Sequence, residues 1–273
     1  MNKNRTTFLL NAPYTIWAAI FIIVPIFIVV FYAFTDVNGT FSLSNIKELK
    51  LYIPIFAISI LYSLIATFIT LIIGYPFAYA MTKTRASTQK MQMMLIMLPM
   101  WMNLLIRTYS WVTILEREGL INDFLGIFGL DPVKMIGTPG AVILGMVYNY
   151  LPYMILPIYT VLSKIDTSLI EAAEDLGCSA FEKMRRLIIP MSIPGVISGI
   201  AMVFVPSVST FYISQKLGDG QIILIGDTIE RQMKTIPDFN VGAAISLVLM
   251  IMILISMTIM NKFSDSADGG IVI

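Results

Sequence analysis

The sequence predicts an all-α integral membrane protein with six transmembrane helices. Three observations carry this: an apolar composition, six apolar stretches of spanning length, and unequal charge in the loops between them. Of 273 residues, 57% are hydrophobic and 13% charged, far more apolar surface than one soluble core of this size needs. The 17 Gly and 13 Pro fit a bilayer too, because neighbouring helices there re-satisfy a backbone that these residues interrupt. The apolar stretches are 14–34, 55–81, 93–115, 141–162, 187–213 and 241–260, and each can cross about 30 Å of hydrocarbon at about 1.5 Å per residue.

The first stretch is longer than a signal-peptide core of about 7–15 residues, and no small-x-small cleavage site follows Phe34, so it reads as a retained helix. The loop after the second stretch holds Lys83, Arg85 and Lys90 with no acid, whereas 116–138 holds Glu116, Glu118, Asp123 and Asp131 against Arg117 and Lys134. With Lys3 and Arg5 at the start and Lys262 at the end, the positive-inside rule places both termini in the cytoplasm. The third stretch carries Arg107, a charge that costs about 2.5–3.5 kcal/mol in hydrocarbon and should face the bundle interior or a cavity. Snorkelling outward, or pairing with Glu116 or Asp123, is the simplest account of it. Pro152, Pro157, Pro190, Pro194 and Pro206 in the fourth and fifth stretches read as kinks that shape a cavity. No repeat or soluble domain remains, so 1–273 is one transmembrane domain.

The inner loop at about 164–190 is the most informative segment. Ser168 with Glu171 fits a capping box, and Leu169, Ile170, Ala173 and Leu176 then fall at helical spacing with Glu171, Glu174 and Asp175 largely opposite. Gly177 stands where a left-handed C-cap is wanted, and Ser179 with Glu182 opens a second helix that enters the membrane. A surface-lying connector is one reading. Acids on the polar face weigh against it, since interfacial helices usually present Lys and Arg to anionic lipid, and a protein partner suits the pattern better.

Several chemistries lack their parts. There is no histidine and one cysteine, Cys178, so Ser-His catalysis, a usual zinc site and an internal disulfide are all disfavoured. No Gly-rich loop ending in Gly-Lys-Ser/Thr is present. The chain does not read as an enzyme.

Glu171-Ala172-Ala173, Gly177 six positions after Glu171, and Leu187, Ile189 and Pro190 resemble the EAA loop of binding-protein-dependent ABC importer permeases, with the family's spacing kept and two aliphatics exchanged. Gly74-Tyr75-Pro76-Phe77-Ala78-Tyr79, Leu105-Ile106-Arg107-Thr108-Tyr109-Ser110-Trp111, Leu151-Pro152-Tyr153-Met154 with Ile155-Leu156-Pro157-Ile158-Tyr159, and Phe211-Tyr212-Ile213-Ser214 resemble, in order, the PotB-type permeases of spermidine/putrescine importers.

That resemblance implies a type I importer (MetI-like) permease fold and polyamine import through the cell membrane. It also implies a PotC-type second permease, a PotA-type ATPase dimer that binds ATP and Mg, and an external PotD-type polyamine-binding protein, with membrane lipid around the spans and no nucleic acid. It further implies that the helix around Ser168 to Leu176 enters a groove of the ATPase. Glu171 would then make the charged contact, Ala172 and Ala173 would allow close approach, and Gly177 would set the turn.

A cationic cargo wants carboxylates and aromatic faces near its path. Asp219, Asp227 and Glu230, with Tyr109, Trp111, Phe211 and Tyr212, supply those types. Aromatics at helix ends also serve as interface anchors. Asn149, Asn103 and Tyr148 are candidates for lining the path, and interhelical hydrogen bonding explains them equally well. An importer permease for an amino acid, sugar or oxyanion, and a secondary transporter, remain open alternatives.

Overall fold

The computed structural model describes residues 13–36, 38–234 and 239–269, with side chains to 263. The N-terminal charges Lys3 and Arg5 lie outside the described residues. Among the described residues five helices are long and apolar enough to cross a membrane. They are α1 (Pro13–Ala33), α2 (Ile53–Thr82, led in by short helical turns from Ser44), α6 (Pro139–Leu162), α8 (Ala180–Val208) and α11 (Phe239–Gly269). The shorter helices are α3 (Ala86–Trp101), α4 (Leu104–Leu115), α5 (Leu120–Ile127), α7 (Thr167–Asp175), α9 (Tyr212–Leu217) and α10 (Ile225–Lys234). The fold is all-helical, as expected from the sequence.

Two predicted spans differ in detail. The third is not one helix but α3 and α4, separated by extended backbone at Met102 and Asn103. Pro99 cannot donate to the α3 ladder, and the Asn103 side chain accepts from the Leu105 amide at 2.7 Å, restarting the chain as an N-cap. The fifth ends at Val208 rather than Ile213, and α9 follows as a separate helix. The backbone of Gly226 approaches the break closely, since a Cβ there would stand 2.4 Å from the Thr210 carbonyl oxygen.

Proline also shapes the long helices. A π turn at Ala19–Ile23 precedes Pro25, and another at Met184–Ile188 precedes Pro190. The ring collides with the carbonyl four residues back and lacks an N–H, and a widened turn just before it relieves both. Pro152 and Pro157 lie inside α6, and Pro194 and Pro206 inside α8, without ending either helix.

The chain divides into two compact units, Met1–Pro54 with Thr228–Met252 and Ile55–Asp227 with Ile253–Ile273. In the first, Ala33, Ala243 and Ala244 form a small core with Val29, Phe34, Leu49 and Leu247 around it. Buried amides hold the end of α1: Asn45 donates to the Ala33 and Thr35 carbonyls at 3.3 and 2.8 Å, and Asn240 also donates to Thr35. Each such bond contributes about 1 kcal/mol, and losing one partner would strand a buried carbonyl.

In the second unit α6 is the central element. Met146, Met154 and Ile158 are fully buried on it, and α8 packs along it. Small residues permit the approach: a Cβ on Gly199 would lie 2.7 Å from the Met154 sulfur, and one on Gly145 would lie 2.4 Å from a Leu217 methyl. Along α2, Ser59, Ser63 and Thr67 are buried on one face and return their hydroxyls to carbonyls four residues back at 2.7–2.8 Å. Polar groups at membrane depth are thereby satisfied within the helix.

Candidate functional site

The loop at about 164–190 folds as two capped helices. The N-cap of α7 is Asp166, whose carboxylate accepts from the Ser168 amide at 3.0 Å; Ser168 sits inside the first turn, so the capping box expected at Ser168 and Glu171 is replaced by this cap. An aspartate at this position can accept from the same orphan amides and adds a favourable charge. That bond holds the Asp166 carboxyl below its ordinary range.

At the other end Gly177 has φ +79°. The Cys178 amide donates to the Ala173 carbonyl at 3.0 Å and the Gly177 amide to Glu174 at 2.8 Å, the two bonds of a Schellman motif. The Ser179 and Glu182 capping box is present. An ion pair from Lys183 to Glu174 ties α7 to the start of α8 and holds the Glu174 carboxyl low.

This segment buries little. Ile170 and Ala173 are half-buried, whereas Glu171, Ala172, Glu174 and Asp175 are exposed. Leu176 is 85% exposed and Phe181 73%. Large apolar side chains thus stand exposed beside an acidic face. Phe181 was not singled out from the sequence, because at a helix start an aromatic pattern does not distinguish exposed from buried.

The residues expected along a substrate path separate into groups. Asn149 is buried in α6 and donates to the Gly145 carbonyl at 2.8 Å. Trp111 packs edge-on against Tyr148, ring centroids 5.3 Å apart. Phe211 precedes α9 and is partly exposed. Asp219 takes φ +46° in the turn after α9, and Asp227 accepts from the Leu224 amide at 2.8 Å. The Glu230 carboxylate pairs with Lys234 at 2.7 Å.

Tyr109 on α4 and Tyr212 on α9 are brought together. They line an open groove of about 460 Å³ with Leu105, Ile106, Ser110 and Thr113. Lys216 lies over both rings, its Nζ 5.4 Å from the Tyr109 centroid and 5.9 Å from that of Tyr212. Lys216 was not singled out from the sequence. Its spacing of four from Tyr212 was the available signal, since such residues share a helix face.

Arg107, on the buried side of α4, is 7% exposed. Its Nε and Nη1 are buried without hydrogen-bond partners, and it makes no ion pair with Glu116 or Asp123 among the described residues. The guanidinium faces inward, as its cost in hydrocarbon demands, and the expected outward or paired arrangement does not occur. The rest of α4 explains this: Thr108 and Leu115 share its buried side, so Arg107 has no short route to the surface.

Comparison with known proteins follows the same lines. The pattern of the family described as binding-protein-dependent transport system inner membrane component matches residues 3–267. The spermidine/putrescine transport system permease protein PotB of Salmonella typhimurium (strain LT2) is 35% identical over 270 residues, covering 92% of this chain and 94% of that one. PotB of Escherichia coli (strain K12) is 36% identical over 245 residues, covering 86% and 89%. Among solved structures, a bacterial ABC transporter involved in import of the acidic polysaccharide alginate superposes with a TM-score of 0.73 at 19% identity, covering 96% of each chain. The MetNI methionine ABC transporter in an inward-facing conformation superposes with a TM-score of 0.61 at 14% identity, covering 80% of this chain and 97% of that one. The structural likenesses speak for the fold, and the match along nearly the whole sequence speaks for descent: the chain belongs to the family of binding-protein-dependent transport system inner membrane components, the multi-pass permease subunits of ABC importers.

Proposed function

We propose that this chain is a permease subunit of an ATP-driven importer for polyamines, spermidine or putrescine, and that it forms part of the translocation path. The observation that carries the reading is 35% identity to spermidine/putrescine permeases along 92% of the chain. An alignment of that length takes in both the inner loop and the groove. The chain works as one permease domain with both termini in the cytoplasm. Its partners are a second, related permease, a dimer of ATPases that binds ATP and Mg, and an external polyamine-binding protein.

Coupling runs through α7. Glu171 makes the charged contact in a groove of the ATPase, Ala172 and Ala173 keep the approach close, and Ser168 and Leu176 flank that contact. Gly177 fixes the angle to α8. The exposed acids and the exposed Leu176 support this reading, as does a C-cap that holds α7 in one orientation. Tyr109, Trp111, Phe211, Tyr212, Asp219 and Asn149 belong to the substrate path, of which the groove between α4 and α9 is the open part.

The test is reconstitution. The chain is co-expressed with its partner permease, ATPase and binding protein, and ATP-dependent uptake of labelled spermidine and putrescine is compared with that of an amino acid, a sugar and an oxyanion. Saturable uptake of a polyamine is expected. Uptake of another solute with none of polyamine would replace the cargo and keep the family.

A further inference from the structure

Beside the groove between α4 and α9 stands an alkylammonium ion, that of Lys216, over the faces of two tyrosines that line the groove. A lysine side chain is four methylenes ending in an ammonium, which is the chemistry of one half of a diaminoalkane. Its Nζ lies over two tyrosine faces at 5.4 and 5.9 Å, and no carboxylate pairs with it among the described residues. The ring faces alone therefore hold the charge, in the way aromatic faces hold quaternary and primary ammonium ligands.

The remaining walls suit the same guest. Leu105 and Ile106 offer apolar surface for methylenes. The hydroxyls of Ser110 and Thr113 donate to the carbonyls of Ile106 and Tyr109, at 3.0 and 3.3 Å. That use of their hydrogens leaves their lone pairs to accept from an ammonium N–H. About 460 Å³ of space is enough for a small ligand.

We infer that the Tyr109 and Tyr212 faces form an alkylammonium subsite, and that Lys216 is its tethered occupant, displaced by a terminal ammonium of the polyamine. This deepens the reading of the chain as a polyamine permease and rests on it. While Lys216 occupies the rings, the subsite does not hold a free polyamine from the outside solution. A guest has to compete with it, so the apparent affinity is lowered by the fraction of time the rings are free. Lys216 is half-exposed and sits on a short helix, so it can swing to solvent without repacking α9.

The experiment measures equilibrium binding of labelled putrescine to the full chain in nanodiscs. Lys216→Met should tighten half-saturation by about 2- to 5-fold, the range an exposed cation–π contact supports. Lys134→Met, which removes the same charge elsewhere, should leave half-saturation unchanged. Tyr109→Leu and Tyr212→Leu should weaken binding, and phenylalanine at either position should restore it relative to leucine. Equal binding by Lys216→Met and the parent chain, or equal tightening by Lys134→Met, would overturn the inference, as would leucine variants that bind like the parent. ATP-driven uptake by the assembled importer is measured in parallel. If uptake of polyamine is absent while the binding series behaves as expected, the cargo reading falls and the subsite stands.

Discussion

Gly177 adopts φ +79° with nothing within 4 Å of the place a Cβ would occupy, so what glycine supplies there is backbone freedom and not space. Gly177→Val forces a β-branched residue into the left-handed region, at a cost of about 1–3 kcal/mol, and should undo the C-cap of α7. Transport should nearly vanish while the protein still inserts, with Gly177→Asn intermediate because asparagine tolerates that region. Glu171→Ala, by contrast, leaves the helix intact and should reduce ATPase retention on the membrane by a moderate factor, measured by co-purification beside uptake. Arg107 poses the opposite case, a buried charge with two bare nitrogens. A buried charge with no ion-pair partner carries a desolvation penalty of several kcal/mol, which an apolar chain of similar length removes. Arg107→Met should therefore raise the thermal midpoint of the isolated chain in detergent, and a lowered midpoint would mean that the guanidinium is paired in solution. At this scale Gly177 and the Ser179–Glu182 box were legible from sequence, because local hydrogen bonding decides them. Asp166 displaced Ser168 as cap, since both are good caps two residues apart and spacing does not rank them.

The element whose stability is most open to measurement is α7, which buries no side chain fully. Two carboxylates hold its ends, Asp166 through the Ser168 amide and Glu174 through Lys183, and both are shifted below their ordinary values. A carboxylate depressed in the folded state stabilises it above the unfolded value and loses that contribution as pH falls through the folded one. Amide exchange over 167–175, corrected for its intrinsic pH dependence, should therefore stay slow near neutrality and accelerate below about pH 4, while α6 stays protected. Asp166→Ala should fray the first turn already at neutral pH and flatten that dependence. The broken third span belongs to this scale too. Hydropathy over 93–115 does not register the break, because a window average sees apolar side chains and not the missing donor of Pro99 or the cap of Asn103.

For the whole molecule, topology and assembly are the properties to test. Cys178 is the single thiol, half-exposed in the turn after α7. A membrane-impermeant maleimide added to intact cells should leave it unlabelled, and labelling should appear on permeabilisation. Reaction in sealed cells would invert the orientation. A complex isolated by a tag on this chain should hold one copy of it, one related permease and two ATPase subunits by native mass measurement. A stable, active homodimer would remove the need for a second permease.

By itself the sequence determined the compartment, the order of the spans and the position of the loop at 164–190, because all three follow from local composition, helical period and capping chemistry. The tertiary structure decided what depends on neighbours distant in the chain. It turned Arg107 inward, buried Asn149 and set Lys216 over the rings of Tyr109 and Tyr212. Tyr109 and Lys216 stand far apart in sequence, and only the packing of α4 against α9 closes that distance. Periodicity says which face of a helix is apolar. Which other helix covers that face, and which polar groups end up beneath it, is settled by packing.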